Sequence, residues 1–312
     1  MVIIMENKLV SIVSPCYNGE SYIARFLDSI IAQTYRPLEL ILVNDNSTDR
    51  TDDIVRSYSD KLAKNGIDFK YHMKKVNGGP GGAINDGLKL MTGEYLIWPD
   101  TDDFLYPNSI EERVNFLKKH PEFGFVQSDG AVYDEYDIKT PKKKVTAIIP
   151  KNGEVFKNVL SGDIVYTPCG YMLRTSAFLD VNPNKEIYPS RYGQNIQMLM
   201  PIAYKYKCGY LKETLYGRVD RNGSLSKRVW NENDDAWKNR VLGLEEIYVE
   251  TLKSIGGDAL AYIPYIYYRD LRILNAVSKK VGTNAHRKQK SILKDATMLL
   301  LKEITKTFIK RN

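Results

Sequence analysis

Cysteine and histidine are both scarce in this chain, at three residues each among 312. Cys16, Cys169 and Cys208 have no CxxC spacing, so neither a disulfide framework nor a zinc knuckle is encoded. His72, His120 and His286 are scattered, which argues against a metal site built from histidine. No window approaches about 18 uncharged apolar residues, so no transmembrane span is expected. The opening Met1-Val2-Ile3-Ile4-Met5-Glu6 lacks the charged start and cleavage site of a secretory leader, so none is expected either. These absences point to a soluble protein of a reducing compartment, expected in the cytoplasm.

Apolar residues make up 43% and charged residues 27%, enough for a real core and too ordered a composition for wholesale disorder. At roughly 100–200 residues per domain, the length indicates two domains or one large domain with an appendage. The net charge of +7 is unevenly placed. Lys279 to Asn312 hold ten Lys/Arg against Asp295 and Glu303, and the rest of the chain is nearly balanced. A nucleic-acid enzyme carries its positive charge around a groove. Here it sits at one end, so no nucleic acid is expected, and an anionic surface or a solvated arm is.

From residue 9 to residue 98, strand-like and helix-like segments alternate. Leu9 to Val13 is a short, β-branched apolar run with the length and composition of a buried strand. Ile23, Phe26, Leu27, Ile30 and Ile31 recur at helical spacing. Strands are expected over 38–43, 67–72 and 95–98, and helices over 48–64 and 82–91. Alternation of this kind indicates parallel βαβ units. Ligands of such sheets bind beyond the carboxyl ends of the strands. Cys16-Tyr17-Asn18, Asn44-Asp45-Asn46 and Asp100-Thr101-Asp102-Asp103 all fall at such ends. Further on, 107–119 and 194–206 read as helices and 123–132 and 209–219 as strands, with an exposed hairpin or loop over 133–150. Long helical patterns follow Arg228 (232–252, 259–280, 286–309). A boundary near residue 228 divides the chain into 1–228 and a helical extension, 229–312.

The polar clusters each allow two readings. Carboxylates crowded at Asp100, Asp102 and Asp103 repel one another unless a cation or hydrogen-bond donors intervene, and hard divalent ions take such oxygens together with substrate phosphates. The same turn can instead cap the following helix. Ser47, Thr48 and Asp49 suit a helix start. Asp45 is left over, and its carboxylate can accept from a base or a ribose. The glycines of Asn77-Gly78-Gly79-Pro80-Gly81-Gly82 let a backbone approach a ligand at a helix N-terminus, or simply make a turn.

Taken together and in order, these blocks resemble the family 2 glycosyltransferases of the GT-A fold. The resemblance is carried by Val10-Ser11-Ile12-Val13-Ser14-Pro15-Cys16-Tyr17-Asn18-Gly19-Glu20, Val43-Asn44-Asp45-Asn46-Ser47-Thr48-Asp49 and Asn77-Gly78-Gly79. Gly93-Glu94-Tyr95-Leu96-Ile97-Trp98-Pro99-Asp100-Thr101-Asp102-Asp103 completes it. It covers residues 8–108 and, more loosely, 165–226. It implies an α/β fold, a Rossmann-like mixed sheet flanked by helices, that moves a sugar from a nucleotide diphosphate. By the same resemblance Ser14, Pro15, Tyr17, Asn18 and Glu20 surround the nucleotide, with Gly79, Asp100 and Thr101 alongside. Asp45 matches a uracil contact, which makes a UDP-linked donor the expectation. Asp102 is the expected ligand of Mn²⁺ or Mg²⁺, with Asp103 behind it or facing the sugar. Arg218 and Arg221 fall in the family's closing segment and suit a diphosphate. Asp220 is a further candidate metal ligand.

Two departures stand out. Relatives often have Ala-Arg-Asn where this chain has Ala83-Ile84-Asn85. Inverting relatives usually place Glu-Asp where this chain has Gln194-Asn195, and neither amide takes up a proton as a carboxylate does. Three accounts are open: Glu186, Asp163 or Asp220 serves as base; Gln194 and Asn195 orient the acceptor while catalysis rests on the metal; or the pair is only a helix start. Cys16 is expected as a pocket wall rather than a nucleophile.

The expected acceptor is a hydroxyl of a glycan or lipid-linked glycan, in surface polysaccharide synthesis. The alternatives are a non-catalytic sugar-nucleotide or glycan-binding module and a nucleotidyltransferase. The latter needs a Gly-rich, Lys/Arg-bearing loop that Ser14-Pro15-Cys16-Tyr17-Asn18 does not supply. The tail from His286 has an apolar face of Ile292, Met298, Leu299, Leu300, Leu301, Ile304, Phe308 and Ile309 and a lysine-rich remainder. It suits the inner face of an anionic membrane, packing on the catalytic domain, or pairing with another subunit. Tyr262, Tyr265, Tyr267 and Tyr268 read as core and contact residues.

Overall fold

Alternate residues of the first strands face opposite ways into two separate apolar clusters, which is how a sheet covered on both faces is built. On β1 (Val10–Cys16), Val10 and Ile12 join one cluster and Val13 the other. On β2 (Leu38–Asn44), Leu38, Leu40 and Leu42 join the first and Ile41 and Val43 the second. The computed structural model describes residues 8–162, 168–191, 193–222, 234–264 and 266, with side chains in the last long helix from residue 243 onward. The tail expected as a helix over 286–309, the boundary near residue 228, and Asp163, Tyr265, Tyr267 and Tyr268 lie outside the described residues.

The chain continues through α1 (Ile23–Ile31), α2 (Thr51–Ser57), α3 (Ser59–Lys64), β3 (Ile67–Met73), α4 (Gly79–Leu90), β4 (Tyr95–Ile97), β5 (Phe104–Leu105) and α5 (Ser109–Lys119). Then come β6 (Phe123–Asp134), β7 (Lys143–Val145), α6 (Phe156–Ser161), β8 (Tyr171–Arg174), α7 (Thr175–Val181), α8 (Gln194–Lys205), β9 (Lys207–Asp220) and α9 (Asp234–Ile255). The strands form one sheet in the order β3-β2-β1-β4-β8-β6-β9-β5, with β7 paired to β6. β3, β2, β1 and β4 run parallel, as the alternation of elements predicts, and β8 enters antiparallel between β4 and β6. The expected helix over 48–64 is two helices meeting at Tyr58. The segment over 133–150 is the β6–β7 hairpin, with Lys143 opposite Val132.

Helices α1 and α5 pack on one face through Phe26, Leu27, Ile30, Ile110, Val114 and Leu117. Helices α4, α6, α7, α8 and α9 share the other face, where Tyr248, Val249 and Leu252 of α9 join Met198 and Ile202 of α8. No helix among the described residues is long and apolar enough to cross a membrane. What matters for the site is register: Cys16 pairs with Asn44 and Asn44 with Met73, so three strands end level and their loops open on one edge.

Candidate active site

The loops after β1 and β2 are tied to each other. The Asn18 N–H donates to Ser47 Oγ and Asn18 Oδ1 accepts the Thr48 N–H, both at 2.9 Å. Glu20 Oε2 accepts the Arg50 N–H at 3.1 Å, and the Glu20 N–H reaches Asp49 Oδ2 at 3.0 Å. Asn18 and Glu20 therefore brace this edge. Tyr17 is 48% exposed beside them, open to a planar ligand. Ser14 is fully buried, and among the described residues its Oγ has no hydrogen-bond partner. The Pro15 carbonyl accepts Thr101 Oγ1 at 3.1 Å, joining the end of β1 to the acidic turn. The Cys16 thiol is pushed up to about 12 by burial, so it stays protonated and is no nucleophile at neutral pH.

Asp45 is 2% exposed. Its N–H donates to the Cys16 carbonyl and its Oδ1 accepts the Gly78 N–H, both at 2.8 Å, while Lys74 Nζ lies 3.6 Å from Oδ1. Among the described residues no group donates to Oδ2, which leaves one fixed acceptor for a ligand.

The acidic turn follows β4. Ligand oxygens of Asp100, Asp102 and Asp103 lie within 4.8 Å of one another. Asp103 is turned inward: its Oδ1 accepts the Val219 N–H at 2.8 Å and the Cys169 thiol lies 3.7 Å from Oδ2. Asp102 Oδ2 accepts from both Nη2 and Nε of Arg221, at 2.7 and 3.1 Å. The Arg221 guanidinium lies 4.1 Å over the Tyr22 ring, and Arg25 Nη2 donates to the Asp102 carbonyl at 2.5 Å. No described residue donates to the Asp100 carboxylate. Burial pushes Asp100 up to about 7, with the charge of Asp102 adding and that of Arg221 opposing. Burial, followed by the charges of Asp102 and Asp100, holds Asp103 well above the ordinary carboxylate range.

Beneath the turn, Arg113 is fully buried and donates to Ser128 Oγ at 2.8 Å and to the Cys169 carbonyl at 2.7 Å. Burial pulls its guanidinium down to about 10. Three carboxylates whose oxygens lie within 4.8 Å of one another fit a hard divalent cation on Asp102 and Asp100, whereas Asp103 is committed to the protein. Arg218, opposite Val132 in register, adds positive charge near Asp103.

Asn195 is joined to the same strand end. Its Oδ1 accepts from Trp98 Nε1 at 2.9 Å and from the Tyr171 hydroxyl at 2.6 Å. Gln194 opens α8 beside it, half-buried. Of the carboxylates considered as base, Glu186 pairs with Lys89 in the last turn of α4, away from the Gly79 end, and Asp220 lies 3.9 Å from Lys142 Nζ.

Of the two readings of the glycine turn, the helix start is the one seen, with α4 opening at Gly79. Its amides already have acceptors: Gly78 on Asp45, Gly79 on Asn77 Oδ1 at 3.3 Å, and Gly81 on the Ser190 carbonyl at 3.3 Å. The close approach that glycine permits is used by the chain itself. A Cβ on Gly81 would lie 2.7 Å from the Ser190 carbonyl oxygen, and one on Gly79, at φ +73, would lie 3.3 Å from Arg191 Cγ. Asn85 grips the backbone N–H and carbonyl of Ile187 at 2.8 Å each, and Gln197 Nε2 donates to the Tyr188 carbonyl at 3.0 Å. Residues 185–191 thus form a strap along α4 that carries Arg191 to Gly79, one residue from the Asp45 contact. Sequence reasoning missed Arg191, Tyr171, Arg25 and Arg113, since no local pattern marks residues brought in by long-range packing.

The profile of "Glycosyl transferase family 2" matches residues 11–181. An uncharacterized glycosyltransferase of Rickettsia conorii is 33% identical over 313 residues, covering 94% of this chain and 47% of that protein. The minor teichoic acid biosynthesis protein GgaB of Bacillus subtilis is 26% identical over 272 residues, covering 84% of this chain and 29% of its own. The chain spans less than half the length of either curated relative. Among solved structures, S. aureus TarS 1-349 in complex with UDP-GlcNAc aligns with a TM-score of 0.61 at 21% identity, covering 93% of this chain and 80% of that one. With the acidic turn, the Asp45 loop and the mixed sheet on one scaffold, the chain belongs to glycosyl transferase family 2, with the GT-A fold.

Proposed function

We infer that the chain transfers a sugar from a UDP-linked donor to a hydroxyl of a glycan or lipid-linked glycan, in the building of a surface polysaccharide. The observation that carries this is the meeting of Asp45, with a free acceptor oxygen, and the Asp100/Asp102 pair on one sheet edge of a family 2 glycosyltransferase. Asp45 Oδ2 can accept the imide N–H of uracil, which donates. The name of the teichoic acid relative and the UDP-GlcNAc bound to TarS support the acceptor and donor classes. Mn²⁺ or Mg²⁺, held by Asp102 and Asp100, would supply Lewis-acid stabilisation to a departing diphosphate. Around it, the protein's own part is to fix the base at Asp45, pair phosphate charge through Arg221 and Arg218, and present the acceptor to Asn195 and Gln194.

A second reading, a sugar-nucleotide-binding module, is favoured by one observation: Asn195 stands where a carboxylate base is expected and takes no proton. Release of UDP separates the two. With a panel of UDP-sugars, Mn²⁺ and polyol-phosphate or lipid-linked acceptors, an enzyme releases UDP faster when acceptor is present. Asp102→Ala should lower that rate by about a hundredfold or more. Binding of UDP-sugar with no acceptor-dependent UDP release would support the module. Turnover by Asp102→Ala at the normal rate would remove the acidic turn from the chemistry.

A further inference from the structure

We propose that Arg221, the counter-charge on the Asp102 carboxylate, makes the affinity for a divalent cation depend on the donor's diphosphate. The proposal rests on the function inferred above and adds an order of binding to it. Two nitrogens of Arg221, Nη2 and Nε, fall on a single oxygen, Oδ2 of Asp102, at 2.7 and 3.1 Å. Among the described residues, Oδ1 of that carboxylate and both oxygens of Asp100 receive no donor. Arg221 therefore fixes the carboxylate from one side and leaves the oxygens a cation would use.

That arrangement has an electrostatic consequence. A guanidinium in contact with Asp102 stands within a few ångströms of any cation bound to the same carboxylate, and like charges at that separation repel. Screening is modest, because the side chains of Arg221 and Asp102 are 21% and 24% exposed. Arg221 is not free to swing wide either, since its guanidinium carbon lies 4.1 Å from the centre of the Tyr22 ring. Asp102 is also held from behind by Arg25 on its carbonyl.

A diphosphate changes the balance. Its oxygens match the guanidinium fork and add negative charge between Arg221 and the cation. Cation and nucleotide then favour each other's binding, and linkage requires the coupling to be the same in both directions. The contact joins residues 119 apart in sequence, at the ends of β4 and β9, so it also serves the fold. Metal affinity is the readout that a purely structural pair would leave unmoved.

The test is a Mn²⁺ titration of the full chain, following free Mn²⁺ by electron paramagnetic resonance, for wild type and Arg221→Gln, with and without UDP. In wild type, UDP should tighten Mn²⁺ by about tenfold or more, within the usual range of coupling factors. In Arg221→Gln, Mn²⁺ alone should bind about tenfold tighter than in wild type, and the factor gained from UDP should shrink. Unchanged or weaker Mn²⁺ binding in a folded Arg221→Gln overturns the proposal. Should that variant fail to fold, Tyr22→Leu takes its place: it frees the guanidinium and should tighten Mn²⁺ alone about threefold, and no change there counts against the proposal equally. If wild type binds no UDP in the presence of Mn²⁺, the donor assignment itself falls. If UDP binds and only the variant comparison fails, the role of Arg221 alone is lost.

Discussion

The indole N–H of Trp98 donates to Oδ1 of Asn195 at 2.9 Å, and the Tyr171 hydroxyl meets the same oxygen at 2.6 Å. An indole nitrogen only donates, so the amide is fixed with Nδ2 on the far side of Oδ1. The socket would hold a carboxylate equally well, with its second oxygen where Nδ2 now stands. Asn195→Asp should therefore raise the transfer rate by about a hundredfold or more, the low end of general-base contributions or above, and give the pH–rate profile an acidic limb. Asn195→Ala should leave buried Trp98 and Tyr171 unpaired, costing about 1–3 kcal/mol of stability. A folded Asn195→Asp no faster than wild type would show that the acceptor needs the amide as donor.

The ligand-facing edge is legible in the sequence because it follows from local periodicity. Apolar strands separated by helices put Asp45 and Asp100 beyond strand ends, and parallel register then sets Cys16 level with Asn44. What joins these groups is not local. Asn195 and Trp98 are 97 residues apart and Arg221 and Asp102 are 119 apart, and nothing at either position announces the other. β5 and β8 are two and four residues long, too short to show alternation. Arg113 and Glu39 look like surface charges and are buried, because their partners, Ser128 with Cys169 and Lys70 with Thr92, come from distant elements. Gly79 and Gly81 signal close approach, but not that the approaching group is the chain's own strap.

The proposed reading of the base by Asp45 can be tested at its carboxylate. Asp45→Asn can keep the bond from the Gly78 N–H to its carbonyl oxygen, but it turns the remaining acceptor into a donor facing a donor. The fold should be retained while UDP binds more weakly by about 1.5–3 kcal/mol, roughly ten- to a hundredfold. Isothermal titration with UDP and with CDP reads this directly. A variant that binds UDP as wild type does would show that Asp45 does not read the base.

Glu39 governs acid stability. Its side chain is fully buried, with Oε2 2.5 Å from Lys70 Nζ, Oε1 accepting the Thr92 and Gly93 amides, and the Ser11 hydroxyl beside it. Burial alone would raise its carboxyl, but the hydrogen bonds from Lys70, Ser11 and Thr92 outweigh it and hold the group below its ordinary value. A depressed carboxylate stabilises the fold above the unfolded-state pKa, about 4.3 for Glu, and that contribution fades as pH falls through the folded value. Glu39→Gln should cost about 1.5–3 kcal/mol at pH 7, and the gap to wild type should close below about pH 4. Urea unfolding at pH 7, 5 and 3.5 tests this, and a gap that widened toward acid would refute it.

Arg191 reaches Gly79 only because the strap fits the glycines of α4. A methyl group on Gly81 would meet the Ser190 carbonyl oxygen at 2.7 Å and its nitrogen at 2.9 Å, both backbone atoms, so the strap itself must shift. Gly81→Ala should cost about 1–3 kcal/mol, as overpacking does, and should displace Arg191 from Gly79. Arg191→Ala removes the same exposed cation without touching the packing, so its melting temperature should match wild type. If Arg191 serves the donor, both variants should weaken UDP-sugar binding by about three- to tenfold, while only Gly81→Ala melts lower. Equal affinity in Arg191→Ala and wild type, alongside a loss in Gly81→Ala, would assign the strap a purely structural part. The Asn85 grip on Ile187 would then be what matters, and Asn85→Ala should reproduce Gly81→Ala in both melting and binding.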